Sequence, residues 1–222
     1  MSRTNKFLEN IQKHRAAVKS ESFKGFLADY LALLEESSGV AALAHKRLYG
    51  QIMSHGVEVL DETNQRCRKL FDGDSVKVYS YFEKHFFGME RPLEKVMRFL
   101  HSASMKGEES RQVLLLLGPV GAGKSALIEH IKDALEECDP IYVLEGCPIR
   151  EEPLHLIPRS LREEFAEIYG TKIEGDLCPV CRHRLINELE GDYTKFPITQ
   201  ASFSVRGRKG VGVVPPMDPN TQ

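Results

Sequence analysis

The sequence predicts an α/β fold with a parallel sheet core, a helical amino-terminal region and a carboxy-terminal hairpin. Residues 113–117, Val-Leu-Leu-Leu-Leu, are wholly apolar, which is typical of a strand that helices cover on both faces. A glycine-rich loop and a segment with helical periodicity follow directly, and residues 141–145 predict a second strand. This order of elements is the beginning of a βαβ unit, which joins parallel strands.

Length and composition indicate a globular protein with one sizeable core and an appendage. The chain has 222 residues, whereas a typical domain has about 150. Hydrophobic residues make up 41% and charged residues 28%, which excludes a disordered or fibrous protein. The formal charge of -2 argues against dedicated nucleic-acid binding, and no apolar segment is long enough to cross a membrane. We therefore expect a cytoplasmic protein, and its five cysteines, an odd number, predict no disulfide framework.

The first part of the chain predicts amphipathic helices. Apolar residues recur at three- and four-residue steps within residues 23–34 and again within residues 40–53. Residues 58–78 are polar and contain a Gly-Asp turn, so we interpret them as a linker. These patterns divide the chain into a helical region at 1–75 and a main α/β domain at 76–222.

Further elements are predicted on either side of the glycine-rich loop. Pro92 is suited to the first turn of a helix. Ser160 and Glu163 match a capping box at the start of another helix, and residues 182–190 predict one more. Alternating apolar residues and a glycine-containing turn within residues 196–214 predict the hairpin.

The glycine-rich loop matches the phosphate-binding pattern GxxxxGK[ST] between a predicted strand and a predicted helix. Its residues are Gly118, Pro119, Val120, Gly121, Ala122, Gly123, Lys124 and Ser125. The glycines allow backbone N–H groups to face phosphate oxygens at a helix start. Lys124 supplies charge to the β- and γ-phosphates, and the Ser125 hydroxyl is suited to Mg²⁺. The loop thus predicts a P-loop NTPase that binds ATP with Mg²⁺; the alternative is a turn that only caps a core helix.

Nucleotide binding alone does not give hydrolysis. Enzymes of this class also use an apolar strand that ends in an acidic residue, which binds Mg²⁺. We predict no such strand after Ser125, because neither Glu145 nor Asp218 is directly preceded by four aliphatic residues. The HRD and DFG sequences of protein kinases are also absent from the chain. We therefore leave the catalytic residues unassigned and expect them outside this sequence.

A second group of residues has the chemistry of a metal site. Cys178 and Cys181 form a CxxC pair, and such a pair supplies two zinc ligands from one tight turn. We predict Cys147 as the third ligand, with His183 or His155 as the fourth. Two other interpretations of the CxxC pair are ordinary thiols in a loop and a redox pair, and the sequence leaves all three open.

Beyond these motifs, the chain resembles the amino-terminal part of the PrkA family, bacterial serine protein kinases with an AAA+ ATPase-like domain. The resemblance covers nearly the whole chain. Its segments are residues 38–49, FFGMERPLEKVMRF at 86–99, the GPVGAGKS loop, GCPIREEPLHLIP at 146–158, IEGDLCPVCRHRL at 173–185 and the closing VVPPMDPNTQ. Together they are far more specific than the loop alone.

The resemblance implies a partial AAA+-like nucleotide-binding domain at 76–222, with ATP and Mg²⁺ as ligands and protein as the substrate. It places the segment around Phe87 and Gly88 near the adenine, and it implies a homo-oligomer with nucleotide at subunit boundaries. Family members are longer, and this chain ends before the second acidic motif, the sensor residues and the helical lid. The family's catalytic residues are therefore not transferred to positions in this chain.

Several functions remain open at this stage. The first is the ATP-binding segment of a PrkA-like serine protein kinase, and a related one is a component of an AAA+ protease or remodelling ATPase. Another is a non-catalytic module in which nucleotide and zinc are structural ligands and the helices bind a partner. A compact phosphate-loop kinase for a small molecule needs a complete acceptor site and lid within this length, and the helical first 110 residues and the open carboxy terminus argue against it.

Overall fold

The computed structural model describes residues 7–9, 23–61, 63–64 and 75–204. The α-helices that it defines from residue 23 onwards are α1 (Leu27–Glu36), α2 (Ala44–Ser54), α3 (Ser80–Glu83), α4 (Glu90–Ser104), α5 (Lys124–Glu136), α6 (Arg162–Tyr169) and α7 (Pro179–Asn187). The strands are β1 (Lys24–Gly25), β2 (Val57–Leu60), β3 (Val76–Tyr79), β4 (Ile141–Leu144) and β5 (Ile198–Ala201). None of the described helices has the length and apolar composition needed to cross a membrane.

The chain divides into two compact units. We call residues 42–139 and 202–222 the loop unit, because they include the phosphate-binding pattern. We call residues 1–41 and 140–201 the cysteine unit, because they include Cys147, Cys178 and Cys181.

In the loop unit, helix α4 forms as its sequence predicts. Pro92 lies in its first turn, and Leu93, Met97 and Leu100 are buried along one face. Residues 57–60 and 76–79, at the ends of the expected linker, pair instead as the antiparallel strands β2 and β3. Leu60, Val76 and Val78 bury one side of this pair, which gives the segment a core of its own.

The apolar segment 113–117 differs from its prediction. It is not a strand, and the exposed fractions of Val113, Leu115 and Leu117 are 91%, 72% and 84%. A β-strand needs a hydrogen-bonded neighbour, and the described residues place no strand beside this segment. The expected parallel core is therefore not found in the described part of the chain.

In the cysteine unit, the sheet has the order β1-β5-β4, and both of its pairings are antiparallel. The predicted second strand forms as β4, but its partner is β5, with Leu144 opposite Ile198. Tyr30, Leu154, Phe196 and Ile198 are among the buried residues of the core. Strand β5 supplies the beginning of the expected hairpin, whose turn and second strand lie outside the described residues.

Two helices of this unit begin at positions different from those predicted. Helix α6 begins at Arg162, after a 3-10 turn at Arg159–Leu161, and Leu161 at its N-cap makes no side-chain capping bond. The capping box at Ser160 is therefore wrong, although α6 ends at Gly170 with φ of 64°. Helix α7 begins at Pro179 rather than at 182, because the Cys178 sulfur accepts a capping bond from the Cys181 N–H.

Candidate functional site

The phosphate-binding pattern forms an open turn directly before helix α5. Gly121 has φ of 83°, and Gly123, the N-cap of α5, has φ of 77°. These left-handed conformations are strained for residues with a Cβ atom, so both positions favour glycine. Helix α5 begins at Lys124, and its first N–H groups have no intrahelical partner, as at every helix start.

The side chain of Lys124 folds back over this turn. Its Nζ donates to the carbonyl oxygens of Gly118 and Pro119, each at 2.7 Å. Ser125 follows in the first turn of the helix and is exposed, and Val120 is fully exposed at the tip of the loop. The ammonium group, the hydroxyl group and the helix start therefore all lie near solvent, where a phosphate ligand can reach them.

Residues 86–89 lie beside the end of this loop. A Cβ atom on Gly123 would lie 3.3 Å from Met89 Sδ and 3.7 Å from Phe86 Cε1. The Phe86 ring also contacts the His130 ring of α5, with 5.4 Å between centroids. Phe87 itself is 80% exposed. One buried aromatic ring thus packs on the loop's helix, and the next one in the chain faces solvent.

Helix α5 is also anchored through Tyr81. The Tyr81 hydroxyl donates to the His130 carbonyl oxygen at 2.8 Å. Burial, followed by the negative charges of Glu137 and Asp133, raises the pKa of Tyr81 to about 12. The hydroxyl therefore stays protonated, and this bond stays intact, well above neutral pH.

In the cysteine unit, four potential metal ligands converge. One ligand atom from each of Cys147, Glu151, Cys178 and Cys181 lies within 4.8 Å of all the others. Cys181 is completely buried, and Cys147 and Glu151 are 8% and 4% exposed. The group comprises three thiols and a carboxylate inside a protein core.

Backbone bonds at the end of β4 bring the first two of these residues together. The Cys147 N–H donates to the Leu144 carbonyl at 3.1 Å, and the Leu144 N–H donates to the Glu151 carbonyl at 2.9 Å. The backbone turns between Leu144 and Cys147 at Gly146, where φ is 72°. Cys147 and Glu151 therefore lie side by side, although they are four residues apart.

The other two residues lie at the start of α7. Pro179 occupies the first helical position, so Cys178 is the N-cap and Cys181 lies in the first turn. Arg162 fixes the approach to this helix, since its guanidinium donates to the Gly175 carbonyl at 2.7 Å and to Asp176 Oδ1 at 3.2 Å. The positive end of the helix dipole faces the two sulfur atoms.

Hydrogen bonds connect the four residues. The N–H of Glu151 donates to Cys147 Sγ at 3.3 Å, and that of Cys181 donates to Cys178 Sγ at 3.3 Å. The Cys147 and Cys178 sulfur atoms are 3.9 Å apart. Burial, with the adjacent thiols of Cys147 and Cys178, raises the pKa of Cys181 far above its usual range.

The two oxygens of the Glu151 carboxylate have different surroundings. Oε1 accepts the Cys178 N–H at 2.8 Å and lies 3.0 Å from His155 Nδ1. The other ring nitrogen of His155 lies 2.9 Å from the Glu174 carbonyl oxygen. Oε2 lies 4.0 Å from Cys147 Sγ. One oxygen therefore fixes the carboxylate in place, and the other is turned towards the sulfur atoms.

The structure brings together three of the four residues predicted for the metal site. His183 is exposed on α7 and lies outside the cluster, whereas His155 contacts it only through Glu151. Sequence analysis did not identify Glu151. Its signal was weak, because a glutamate four residues after a cysteine has no recognised ligand spacing, and only the turn after β4 makes the pair close.

Comparisons with known proteins identify the family of the chain. The chain matches the PrkA AAA domain family over residues 25–222. It is 35% identical over 221 residues to the ATP-dependent protease PrkA of Bacillus subtilis (strain 168), covering 97% of this chain and 33% of that protein. It is 32% identical over 220 residues to the serine/threonine kinase YeaG of Escherichia coli (strain K12), covering 95% of this chain and 33% of that protein.

The chain thus spans about a third of the length of these relatives. No solved structure matches it significantly.

Proposed function

Because the chain belongs to the PrkA AAA domain family, we propose that it is the ATP-binding amino-terminal part of a PrkA-type protein and that residues 118–125 bind Mg-ATP. The observation that carries the proposal is the loop at the start of α5. There, two glycines with positive φ precede a lysine whose ammonium group lies over the loop. This is the arrangement that phosphate binding at a helix start requires.

Each part of the loop has a role in this proposal. The Lys124 ammonium exchanges its bonds to the Gly118 and Pro119 carbonyls for bonds to the β- and γ-phosphates. The N–H groups at the start of α5 donate to phosphate oxygens, and the Ser125 hydroxyl binds Mg²⁺. The adenine lies by Phe87 and Gly88, which the packing of Phe86 and Met89 near Gly123 supports.

For the whole protein, we propose that ATP drives a reaction on a protein substrate, as a serine protein kinase does. One relative is named a serine/threonine kinase and another an ATP-dependent protease, and both names denote action on proteins. We further propose a cytoplasmic homo-oligomer with nucleotide at the subunit boundaries. Strand β4 leads into Glu145 after Ser125, but no residue of the chain is assigned a catalytic role, so we propose that these 222 residues bind ATP better than they hydrolyse it.

Titration with a fluorescent ATP analogue in the presence of Mg²⁺ tests the loop. We expect Lys124→Ala to weaken binding about ten- to a hundredfold, because a hydrogen bond to a charged group contributes about 1.5–3 kcal/mol. The matched control is Lys95→Ala, since Lys95 is an exposed lysine on α4 of the same unit. Equal affinities for the parent and the Lys124→Ala variant would overturn the assignment.

Phosphate release from ATP tests the catalytic part of the proposal. We expect the parent chain to release phosphate hardly faster than the Lys124→Ala variant. Turnover many times that of the variant would show that this chain contains catalytic residues of its own.

A further inference from the structure

We propose that the cysteine unit contains a structural zinc site, separate from the nucleotide site. Its ligands are Cys147, Cys178, Cys181 and Glu151, and His155 is a positioning residue that orients the glutamate. Three cysteines and a glutamate thus take the place of the three cysteines and His183 that the sequence predicts. The site therefore has the closed, four-ligand character of a structural rather than a catalytic zinc ion.

The distances between the sulfur atoms fit this assignment. Tetrahedral zinc with Zn–S bonds of about 2.3 Å places two sulfur ligands about 3.8 Å apart. Cys147 Sγ and Cys178 Sγ are 3.9 Å apart. The four ligand atoms all lie within 4.8 Å of one another, so adjustments of less than about 1 Å bring the remaining pairs to the tetrahedral separation.

The backbone bonds are of the kind that would stabilise thiolate ligands of a bound zinc ion. Two of them accept a backbone N–H, from Glu151 and from Cys181, each at 3.3 Å. An N–H donor stabilises negative charge on sulfur, as does the start of α7 beside Cys178 and Cys181. A neutral thiol in an apolar core gains little from either feature, whereas a metal thiolate gains from both.

Glu151 gives independent support. A buried carboxylate is costly unless its oxygens are hydrogen-bonded or paired with a cation, and His155 and the Cys178 N–H engage Oε1 alone. Oε1 is the oxygen that contacts the Cys178 N–H and His155. Oε2 is directed at the sulfur cluster and lies 4.0 Å from Cys147 Sγ. Metal ligands are commonly held in this way by an outer layer of hydrogen bonds, and here Cys178 is both a ligand and a donor to Glu151.

The geometry argues against a redox role for the CxxC pair. Reactive cysteines lie where a partner molecule can reach the sulfur atom. Cys181 is completely buried, so its sulfur atom is not accessible to a redox partner. Soft sulfur ligands also favour zinc over Mg²⁺, which prefers oxygen, so the two metal ions of this protein are bound at different sites.

The first test is the zinc content of the chain purified without chelator. We expect about one zinc ion per chain in the parent. Cys138→Ser and His183→Ala, the controls for another buried cysteine and for the predicted fourth ligand, should retain it. Cys147→Ser and Cys178→Ser should lose it. Zinc below about a tenth of an equivalent in the parent, with all of these thiols reactive in the folded protein, would overturn the site.

Cobalt spectroscopy provides a second measurement that needs no cysteine variant to fold. Co²⁺ exchanged into the parent should give the intense visible bands of a tetrahedral site and the near-ultraviolet band of thiolate bonding. Glu151→Gln should shift the visible bands and release metal to a chelator at least about tenfold faster. An unchanged spectrum and release rate in Glu151→Gln would remove the glutamate from the ligand set.

The zinc content can be measured independently of nucleotide binding. Lys124→Ala should contain as much zinc as the parent, because Lys124 belongs to the loop unit. Failure of ATP binding with zinc retained would overturn only the proposed function. Loss of zinc in Lys124→Ala would overturn the separation of the two sites.

Discussion

The phosphate-binding loop lies in solvent, whereas the cysteine cluster lies in a packed core. Val120 at the tip of the loop is fully exposed, and Cys181 at the centre of the cluster is completely buried. The loop is preceded by the exposed apolar segment 113–117, and the cluster is surrounded by buried residues such as Leu154 and Phe196. The two regions therefore differ in how far the described residues bury them: the cluster is enclosed, and the loop is not.

This difference matches the ligands that we propose. A nucleotide enters and leaves, so its phosphates need an open helix start with groups that can exchange partners, as Lys124 can. A structural metal ion stays bound, and its ligands gain from burial and from fixed hydrogen bonds such as those of Glu151. On these proposals, the ligand that exchanges binds at the exposed site, and the ligand that stays bound lies at the buried site.

The largest effect that we expect comes from removing the metal. Structural zinc has an apparent binding free energy of about 10–16 kcal/mol, much of which is folding free energy. Chelation should therefore increase hydrogen exchange strongly in residues 147–185 and leave helix α5 protected. Mg-ATP should have the complementary effect and slow exchange at the start of α5 alone.

Hydrogen exchange with peptide resolution, with and without chelator or nucleotide, measures both effects. Denatured protein treated in the same way provides the reference for full exchange. If chelation leaves residues 147–185 as protected as before, the contrast between a permanent and an exchangeable site is broken.

How well each site can be predicted from the sequence depends on how close together its residues lie in the chain. The eight residues of the loop are contiguous, so one pattern identifies them and the glycine positions that need positive φ. The cluster joins residues from 147 to 181, which are brought together by the turn after β4 and the start of α7. Spacing alone cannot supply that geometry, so it indicates His183 or His155 as the fourth ligand and gives no signal for Glu151.

The fold shows the same distinction. The periodicity of α4 predicted its buried face, because a helix makes its backbone bonds within itself. The composition of residues 113–117 predicted a strand, but a strand needs a partner from elsewhere in the chain. Strand β4, by contrast, forms because β5 lies beside it. The first residues of the two strands, Ile141 and Ile198, are 57 positions apart in the sequence. Composition therefore identified strand candidates without identifying their partners.

The next largest effect concerns the apolar side chains of the two regions. Phe196 is completely buried, and the Arg184 guanidinium lies 4.9 Å from its ring centroid. Phe196→Ala should lower the free energy of unfolding by about 3–5 kcal/mol. Val113→Ala should change it by less than about 0.5 kcal/mol, because Val113 is 91% exposed.

Urea denaturation of both variants, followed by circular dichroism, measures the two values. A loss for Val113→Ala comparable to that for Phe196→Ala would mean that residues 113–117 are packed in solution. The contrast in burial between the regions would then disappear.

A smaller effect is expected at two helix ends with similar backbone conformations. Gly123 and Gly170 have φ of 77° and 64°, so alanine at either position should cost about 1–2 kcal/mol of stability. The Cβ atom would face Met89 Sδ at 3.3 Å in Gly123→Ala and would have open space in Gly170→Ala. Gly123→Ala should therefore lose more stability, and it alone should weaken nucleotide binding.

Thermal melts and the ATP-analogue titration compare the two variants directly. Because the backbone strain is similar, the excess loss in Gly123→Ala reports the crowding against Met89. Equal stability losses with equal nucleotide affinity would show that residues 86–89 do not support the loop.

The smallest effect concerns two tyrosine hydroxyls, one in each unit. The Tyr81 hydroxyl donates to the His130 carbonyl, so Tyr81→Phe should cost about 0.5–1.5 kcal/mol at neutral pH. Tyr142 instead makes edge contacts with the rings of Phe23 and Tyr30, at centroid distances of 5.1 Å and 5.7 Å. Tyr142→Phe retains those contacts, so its stability should remain close to that of the parent.

The pH dependence of stability tests the burial of the Tyr81 hydroxyl. Burial raises the pKa of Tyr81 from 10.0 to about 12, so the unfolded chain loses this proton first as the pH rises. The stabilisation is complete below pH 10 and declines between pH 10 and 12, since the unfolded state binds fewer protons there. In Tyr81→Phe this component of the alkaline decline should vanish, whereas Tyr142→Phe should follow the parent. Parallel curves for Tyr81→Phe and the parent would mean that the Tyr81 hydroxyl is not buried beside Glu137 and Asp133 in the folded protein.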